Sequence, residues 1–353
     1  MFQLTKKSVP VLGIDISATA IKLLELTRSG RNYRVESYAV EPLPANSVQE
    51  KNITDPTAVG EAIGRAVKKS GSRTKQAAAA VAGSAVITKI ITMPADLSDR
   101  DMETQIAVEA DQYIPFPIEE VSMDFEVLGP TEGNPEQVDV LLAASRSDNV
   151  DSKVAALEVG GLEAKIVDVE AFALENTVSM MASEQFGGAE GKVIAIADVG
   201  SAITTFSILE GGKIIYSREQ TFGGAQLTED IQRKYGLSYE EAGLAKRQGG
   251  LPDNYVPEVL EPFKESMAQQ ISRAQQFFFS SSEISNVDHL ILAGGCASIE
   301  GIGELVGNTV GVPTTVANPF ANMSVASRVA AQALNNDSPA MMVACGLALR
   351  SFD

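Results

Sequence analysis

Apolar and polar positions alternate in the same order in two distant stretches of the chain. Val193 to Leu209 reads VIAIADVGSAITTFSIL: an apolar run, one acid (Asp198), a small-residue turn (Gly200, Ser201, Ala202), two hydroxyls (Thr204, Thr205) and a second apolar run. Two β-branched runs joined by a short glycine-bearing turn predict adjacent strands, and successive backbone N–H groups in such a turn form an anion cradle. Val11 to Leu26 reads VLGIDISATAIKLLEL, with Asp15 falling where Asp198 falls and Lys22 following the turn. The repetition predicts a duplicated α/β core whose halves face each other, each offering a hairpin and an acid to a shared nucleotide cleft. A carboxylate at that point suits a phosphate-bound Mg²⁺, held directly or through water.

The remaining elements follow from local pattern. Val35 to Val40 continues the first sheet, and Leu43 to Thr54 is polar and irregular. Asp55 and Pro56 start a helix with Val59, Ile63 and Val67 on one face and Gly71 as its stop. Gln76 to Ala82 and Ala85 to Met93 read as strands completing the first lobe. Ser98 and Asp101 open a helix carrying Met102, Ile106 and Ala110, which YIPFP (Tyr113 to Pro117) breaks. Strands over Ser122 to Leu128 and Val138 to Ala144, then a helix from Asp148 to Gly160, complete a compact α+β insertion.

A strand over Ala164 to Asp168 and a helix from Glu170 to Ser183 lead back to the Val193 hairpin, which Lys213 to Gln220 extends. Helices are expected around Leu227 to Tyr235, over Tyr239 to Gln248 and over Pro257 to Ser282, with Phe277 to Phe279 in the core. Val287 to Ala293 is a strand running into Gly294, Gly295 and Ser298, where missing Cβ atoms permit close backbone approach to a ligand. Strand Thr314 to Ala317 and two helices close the chain, the second from Ser338 with a small-residue face of Ala344, Gly346 and Ala348. The division expected is 1–94 with 164–190 as a first lobe and 95–163 as the insertion. The second lobe is then 191–225 with 284–353, and 226–283 a helical subdomain.

Composition narrows the function. At 353 residues and 44% apolar content the chain supports a large core in more than one domain. A formal charge of -18 argues against nucleic acid and against bare anionic membrane, and favours a basic partner. The insertion concentrates this charge: Arg100 is the only base between Asp96 and Ser145, against acids that include Asp99, Glu103, Glu109, Asp111, Glu119, Glu120, Asp124 and Glu126. That surface reads either as a solvated acidic face or as a docking surface for a segment carrying Arg or Lys. Cys296 and Cys345 sit in small apolar stretches and read as buried reduced thiols, and the single histidine, His289, as structural. No stretch reaches membrane-spanning length, and Asp15 interrupts the only apolar run after Lys6 and Lys7, so neither membrane insertion nor secretion is expected.

No Walker A motif is present, since Gly187 to Val193 lacks its glycine spacing and hydroxyl, and no GxGxxG opens a helix after a strand. The specific signal is an ordered set: the Asp15 hairpin, the Glu170 helix, the Asp198 hairpin, the Gly294–Gly295 loop and a small-faced terminal helix. In that order the chain resembles the actin, Hsp70 and sugar-kinase superfamily, built on a ribonuclease H-like core. Within it, the insertion EADQYIPFPIEEV (109–121), DVEAFALENT (168–177), LILAGGCASIEGI (290–302) and CGLALR (345–350) are similar to the PilM family of type IV pilus assembly proteins, relatives of the division protein FtsA with its SHS2-like insertion.

The resemblance implies roles. Asp15 and Asp198 would hold Mg²⁺ through water, while Lys22 and the backbone of Ser17, Ala18 and Thr19 would meet the terminal phosphates of ATP. Gly200, Ser201, Ala202 and Thr204 would cradle the other side. Gly294, Gly295 and Ser298 would approach adenosine, Lys246 would lie near base or ribose, and Glu170 would orient attacking water. Two departures bear on this: Ser17 stands where most relatives have glycine, and Gly243 where many carry a ribose-binding acid three residues before Lys246. Nucleotide binding is therefore expected, with hydrolysis weak or absent.

The implied role is a cytoplasmic scaffold of pilus biogenesis and twitching motility, peripheral on the inner membrane. It would hold the N-terminal tail of the membrane protein PilN in a groove between the first lobe and the insertion, with pilus motor ATPases as further partners. The alternatives are an actin-fold sugar or acid kinase, for which no acceptor loop is visible, and an FtsA-like filament former, for which no terminal amphipathic helix follows CGLALR.

Overall fold

The computed structural model describes residues 10–110, 112–185 and 188–353; Lys6, Lys7, Asp111 and Gly187 lie outside them. The chain opens with β1 (Leu12–Ile16), β2 (Ala20–Ser29) and β3 (Asn32–Pro42), an antiparallel meander in which every residue of β1 is buried. A small hairpin, β4 (Val48–Gln49) and β5 (Asn52–Ile53), occupies the segment expected to be irregular. Helix α1 (Pro56–Ser70) begins and ends as anticipated: the Asp55 carboxylate accepts from the Ala58 N–H at 3.0 Å, and Gly71 closes it at φ 68°. The alanine-rich β6 (Gln76–Val81) then pairs parallel with β1.

The next strand departs from expectation. β7 (Val86–Pro94) leaves the first sheet, because only Ile91 and Met93 along it are buried, and a strand with one apolar face does not suit a sheet covered on both sides. Helix α2 (Asp99–Ala110) covers that face with Met102 and Ile106. β8 (Val121–Thr131) and β9 (Asn134–Arg146) complete a three-stranded antiparallel sheet in the order β7-β9-β8. Helix α3 (Ser147–Val159) belongs to the first lobe instead, packed so closely on α1 that a Cβ on Gly60 would lie 2.4 Å from the Val159 Cβ. The insertion sheet therefore runs from Val86 to Arg146, in place of the expected 95–163. Strand β10 (Glu163–Val169) returns beside β6 and leads into α4 (Glu170–Gln185).

The second half repeats the first. β11 (Val193–Val199), β12 (Ile203–Glu210) and β13 (Lys213–Thr221) form the meander. Helices α5 (Gly224–Tyr235), α6 (Tyr239–Gln248) and α7 (Glu261–Ser281) follow. α7 buries Phe278 but leaves Phe277 51% exposed beneath the Arg218 guanidinium, since neighbours on a helix cannot share one face. Strand β14 (His289–Ala293), helix α8 (Ile302–Val310) and strand β15 (Thr314–Val316) finish the sheet. Its order, β15-β14-β11-β12-β13, matches β10-β6-β1-β2-β3 strand for strand, with the same parallel and antiparallel pairings.

The C-terminus corrects the expected division of 284–353. β16 (Ser324–Val325) pairs with β3 at the edge of the first sheet. Helices α9 (Ala331–Asp337) and α10 (Met342–Leu349) follow, and α10 lies on β1 because Gly13 and the small side chains of Ala344 and Ala348 let them meet. The Ser351 hydroxyl accepts from the Val11 N–H at 3.0 Å. Helix α4 packs against β11, β12 and β14 and also against α10, so these two helices join the halves. Both cysteines are buried and outside any disulfide, and His289 Nε2 pairs with Thr315 Oγ1 at 2.9 Å. Among the described residues no helix is long and apolar enough to cross a membrane.

Candidate functional site

Each meander delivers its acid to the same place. Asp15, 8% exposed near the end of β1, accepts from Lys22 Nζ at 2.8 Å. Burial alone would lower the Lys22 pKa, but the charge of Asp15, aided by Asp198 and Glu170, outweighs it and raises the group. Burial pushes Asp198 up; Lys22 and Lys51 oppose this and Asp15 adds to it. Glu170, at the first position of α4, is also pushed up by burial against the pull of Lys51, with Asp15 again contributing. Asp15 thus pairs with Lys22 and Glu170 with Lys51, while Asp198 and Glu170 line one cavity.

The two turns are built differently. In the first, the Ser17 hydroxyl donates to the Ala20 carbonyl at 2.8 Å and accepts from its N–H at 3.3 Å, so a side chain closes the turn. No left-handed backbone is required of Ser17, Ala18 or Thr19, and Thr19 is exposed. In the second, the carbonyls of Gly200 and Ser201 accept from the N–H groups of Gly224 and Ala225, at 3.0 and 2.8 Å, which pins the turn to the start of α5. Ala202, the exposed residue of this turn, follows them.

Thr204 does not serve as a cleft ligand: it is 1% exposed and its hydroxyl donates to the Phe222 carbonyl at 2.9 Å. Alternation along β12 turns Thr205 to the cleft instead. Gly294, at φ 87°, is required by the protein itself, since a Cβ there would lie 2.3 Å from the Val199 carbonyl oxygen and 2.5 Å from Asp198 Oδ1. A Cβ on Gly295 would meet open space. Ser298 Oγ donates to the Asn336 carbonyl at 3.3 Å. Lys246 Nζ donates to the Gly224 carbonyl at 2.8 Å and to Thr228 Oγ1 at 2.6 Å, beside the second turn and away from the acids. Burial lowers its pKa and raises that of neighbouring Cys296 to about 11. At Gly243 the nearest atom to a Cβ would be Thr228 Cγ2 at 3.8 Å, an ordinary contact.

Three participants escaped the sequence. Lys51, on the turn between β4 and β5, donates to Glu170 Oε2 at 2.8 Å and pairs with Glu219 Oε1 at 2.7 Å, with Thr205 Oγ1 at 3.4 Å. Lys153 of α3 is 4% exposed and lies within electrostatic reach of Glu170, Asp15 and Lys51. Beside Lys51 and Glu170 a cavity of about 350 Å³ opens between the halves, lined also by Val86, Asp198, Thr205 and Glu219. No cluster of three or more His, Cys, Asp or Glu side chains suited to a metal occurs among the described residues. Two facing carboxylates nonetheless fit Mg²⁺, which keeps several waters and takes its other ligands from phosphates.

Two halves of identical strand order, each carrying a hairpin and an acid to a common cleft and joined by two helices, define the actin-like ATPase fold. The type IV pilus assembly protein PilM family matches over residues 13–352, and the chain belongs to that family. The solved PilM–PilN type IV pilus biogenesis complex contains a similar chain, at TM-score 0.79 and 29% identity, covering 98% of this chain and 99% of that one. The ethanolamine utilization protein EutJ from Carboxydothermus hydrogenoformans shares the fold at TM-score 0.58 and 17% identity, over 96% of this chain and 89% of its own.

Proposed function

We propose that the chain is a nucleotide-binding scaffold of type IV pilus assembly that holds the cytoplasmic N-terminal tail of PilN, and thereby sits on the inner face of the membrane without entering it. The observation that carries the nucleotide half is that equivalent strands of the two halves bear Asp15, which accepts from Lys22, and Asp198, which lines the cleft with Glu170. In this reading Asp15 and Asp198 hold water on Mg²⁺, and Lys22 moves from Asp15 to the terminal phosphates. The turns at Ser17–Thr19 and Gly200–Ala202 supply backbone N–H groups, and Gly295 leaves room beside adenosine. Mg²⁺ neutralises phosphate charge when bound. In the ligand-free chain Glu170 is engaged by Lys51 at 2.8 Å.

The partner half rests on membership in the family and on the insertion. β7 pairs with β9 alone in its sheet, and Val86 and Thr88 at its start line the same cavity as Glu170 and Glu219. An extended basic tail would find there a free strand edge, carboxylates for its cations and the exposed Ile90 for an apolar side chain. Of YIPFP, Ile114 is buried and Tyr113 lies under the Lys89 ammonium, while the exposed Phe116 lies beside the Arg146 guanidinium. Calorimetry of the full chain with the PilN tail peptide, with and without Mg-ATP, tests both halves. Heat of binding in each titration, the peptide's weakened by charge reversal at Glu170 and Glu219, is expected. Peptide binding indifferent to those charges would move the groove elsewhere.

A further inference from the structure

The turn that carries Lys51 has an unusual backbone. Glu50 and Lys51 both take left-handed backbone, at φ 46° and 66°, which side chains other than glycine seldom adopt. The loop is locked from behind: the N–H groups of Thr54 and Asp55 donate to the Ser47 carbonyl, and the Ser47 hydroxyl donates to the Pro44 carbonyl at 2.8 Å. The ammonium so delivered, on a side chain 22% exposed, meets Glu170 of the first half and then crosses the cleft. Its partners there, Thr205 and Glu219, sit opposite each other in the β12–β13 ladder. Burial alone would lower the Lys51 pKa, but the two glutamates outweigh it and hold the group charged.

We propose that Lys51 is an interlobe clamp and a positioning residue for Glu170: one cation from the first half holds that acid against Glu219 and Thr205 of the second, keeping the cleft closed while no anionic ligand competes for it. Without the ammonium, two carboxylates would face each other across the cleft with nothing between them, so its loss converts attraction into repulsion. Loss of an uncompensated partner at a part-buried site costs more than the pair itself contributes. An arriving polyphosphate offers Lys51 a more highly charged partner, and transfer to it would free Glu170 and Glu219 from each other. The clamp itself needs no ligand; only this last consequence rests on the nucleotide reading.

Hydrogen exchange on the full ligand-free chain tests it with Lys51→Met, Lys51→Arg, Glu219→Gln and the Lys51→Met/Glu219→Gln pair. Lys51→Met is expected to speed exchange about tenfold in both 48–53 and 213–221, while β6 and β11 stay protected. Lys51→Arg is expected to retain most protection, and the double variant to recover part of it, because the like-charge contact is gone. Faster exchange in 48–53 alone would overturn the clamp, leaving Lys51 a prop for its own turn; so would no change in either segment. Should Lys51→Met unfold the core, Glu219→Gln decides: faster exchange at 48–53, far from the substitution in sequence, supports the clamp, and its absence refutes it. Mg-ATP association is expected to speed up in Lys51→Met. A chain binding no Mg-ATP in any variant would defeat the nucleotide reading and leave the exchange result standing.

Discussion

Lys153 carries an amine into a buried position, 4% exposed. Its side chain lies under the end of β6 beside a cavity of about 10 Å³, room for about one water. Burial lowers its pKa from the ordinary 10.5, and the attraction of Glu170 and Asp15 does not offset it. Lys153→Met, similar in length and without the charge, is expected to stabilise the chain by about 1–3 kcal/mol at neutral pH, read as a higher denaturant midpoint. The sign with pH follows from proton binding: between the lowered value and 10.5 the unfolded chain holds a proton that the folded chain releases, so wild-type stability rises with pH there. The advantage of Lys153→Met is therefore full below the folded value and fades toward pH 10.5. An advantage that grows with pH would contradict the burial argument. Alternation supplies a second test: Thr204→Val strands the Phe222 carbonyl and is expected to cost about 1–2 kcal/mol, whereas Thr205→Val, facing the cleft, is expected to cost less than about 0.5. Asp15 and Asp198 were legible because strand periodicity and turn chemistry place them, and Glu170 only through the family resemblance. Lys51, Glu219 and Lys153 were not, since each acts through an element distant in sequence.

Most elements, from α1 with its Asp55 cap to the two meanders, followed from local pattern, and the failures have one cause. Pattern reveals that a segment is a strand or helix but not which neighbour covers it. β7 has strand periodicity yet belongs to the insertion, α3 has helical periodicity yet packs on α1, and α10 follows the second half yet lies on β1. The small-residue face of α10 did predict close packing, though not its target. A Cβ on Gly346 would come within 1.8 Å of the Ala173 carbonyl oxygen, so α10 and α4 touch backbone to backbone. Gly346→Ala is expected to push the two joining helices apart and cost roughly 2–4 kcal/mol in thermal unfolding. Gly295→Ala, with open space at its Cβ, is expected to leave stability near wild type and to weaken Mg-ATP. Equal melting shifts for the two substitutions would mean that the α4–α10 contact is not the tight one.

Across the whole molecule, duplication was readable from two hairpins because each half repeats a complete sheet order and not merely a motif. That symmetry is what lets one ligand couple the halves. α4 and α10 connect them from within, and a nucleotide gripped by both turns would add a second connection absent from the unfolded chain. Linkage then requires stabilisation: at a hundredfold excess over its dissociation constant, Mg-ATP is expected to add about 2.7 kcal/mol, seen as a rise in Tm. Asp198→Asn removes a carboxylate that burial already disfavours, so the variant without ligand is expected to melt no lower than wild type. Its response to Mg-ATP is the informative quantity, since the difference between liganded and free protein cancels intrinsic stability. Retention of the full ligand-induced rise in Asp198→Asn, or in Asp15→Asn, would show that binding does not pass through these acids, and the coupling between halves would have to run through α4, α10 and the Lys51 bridge.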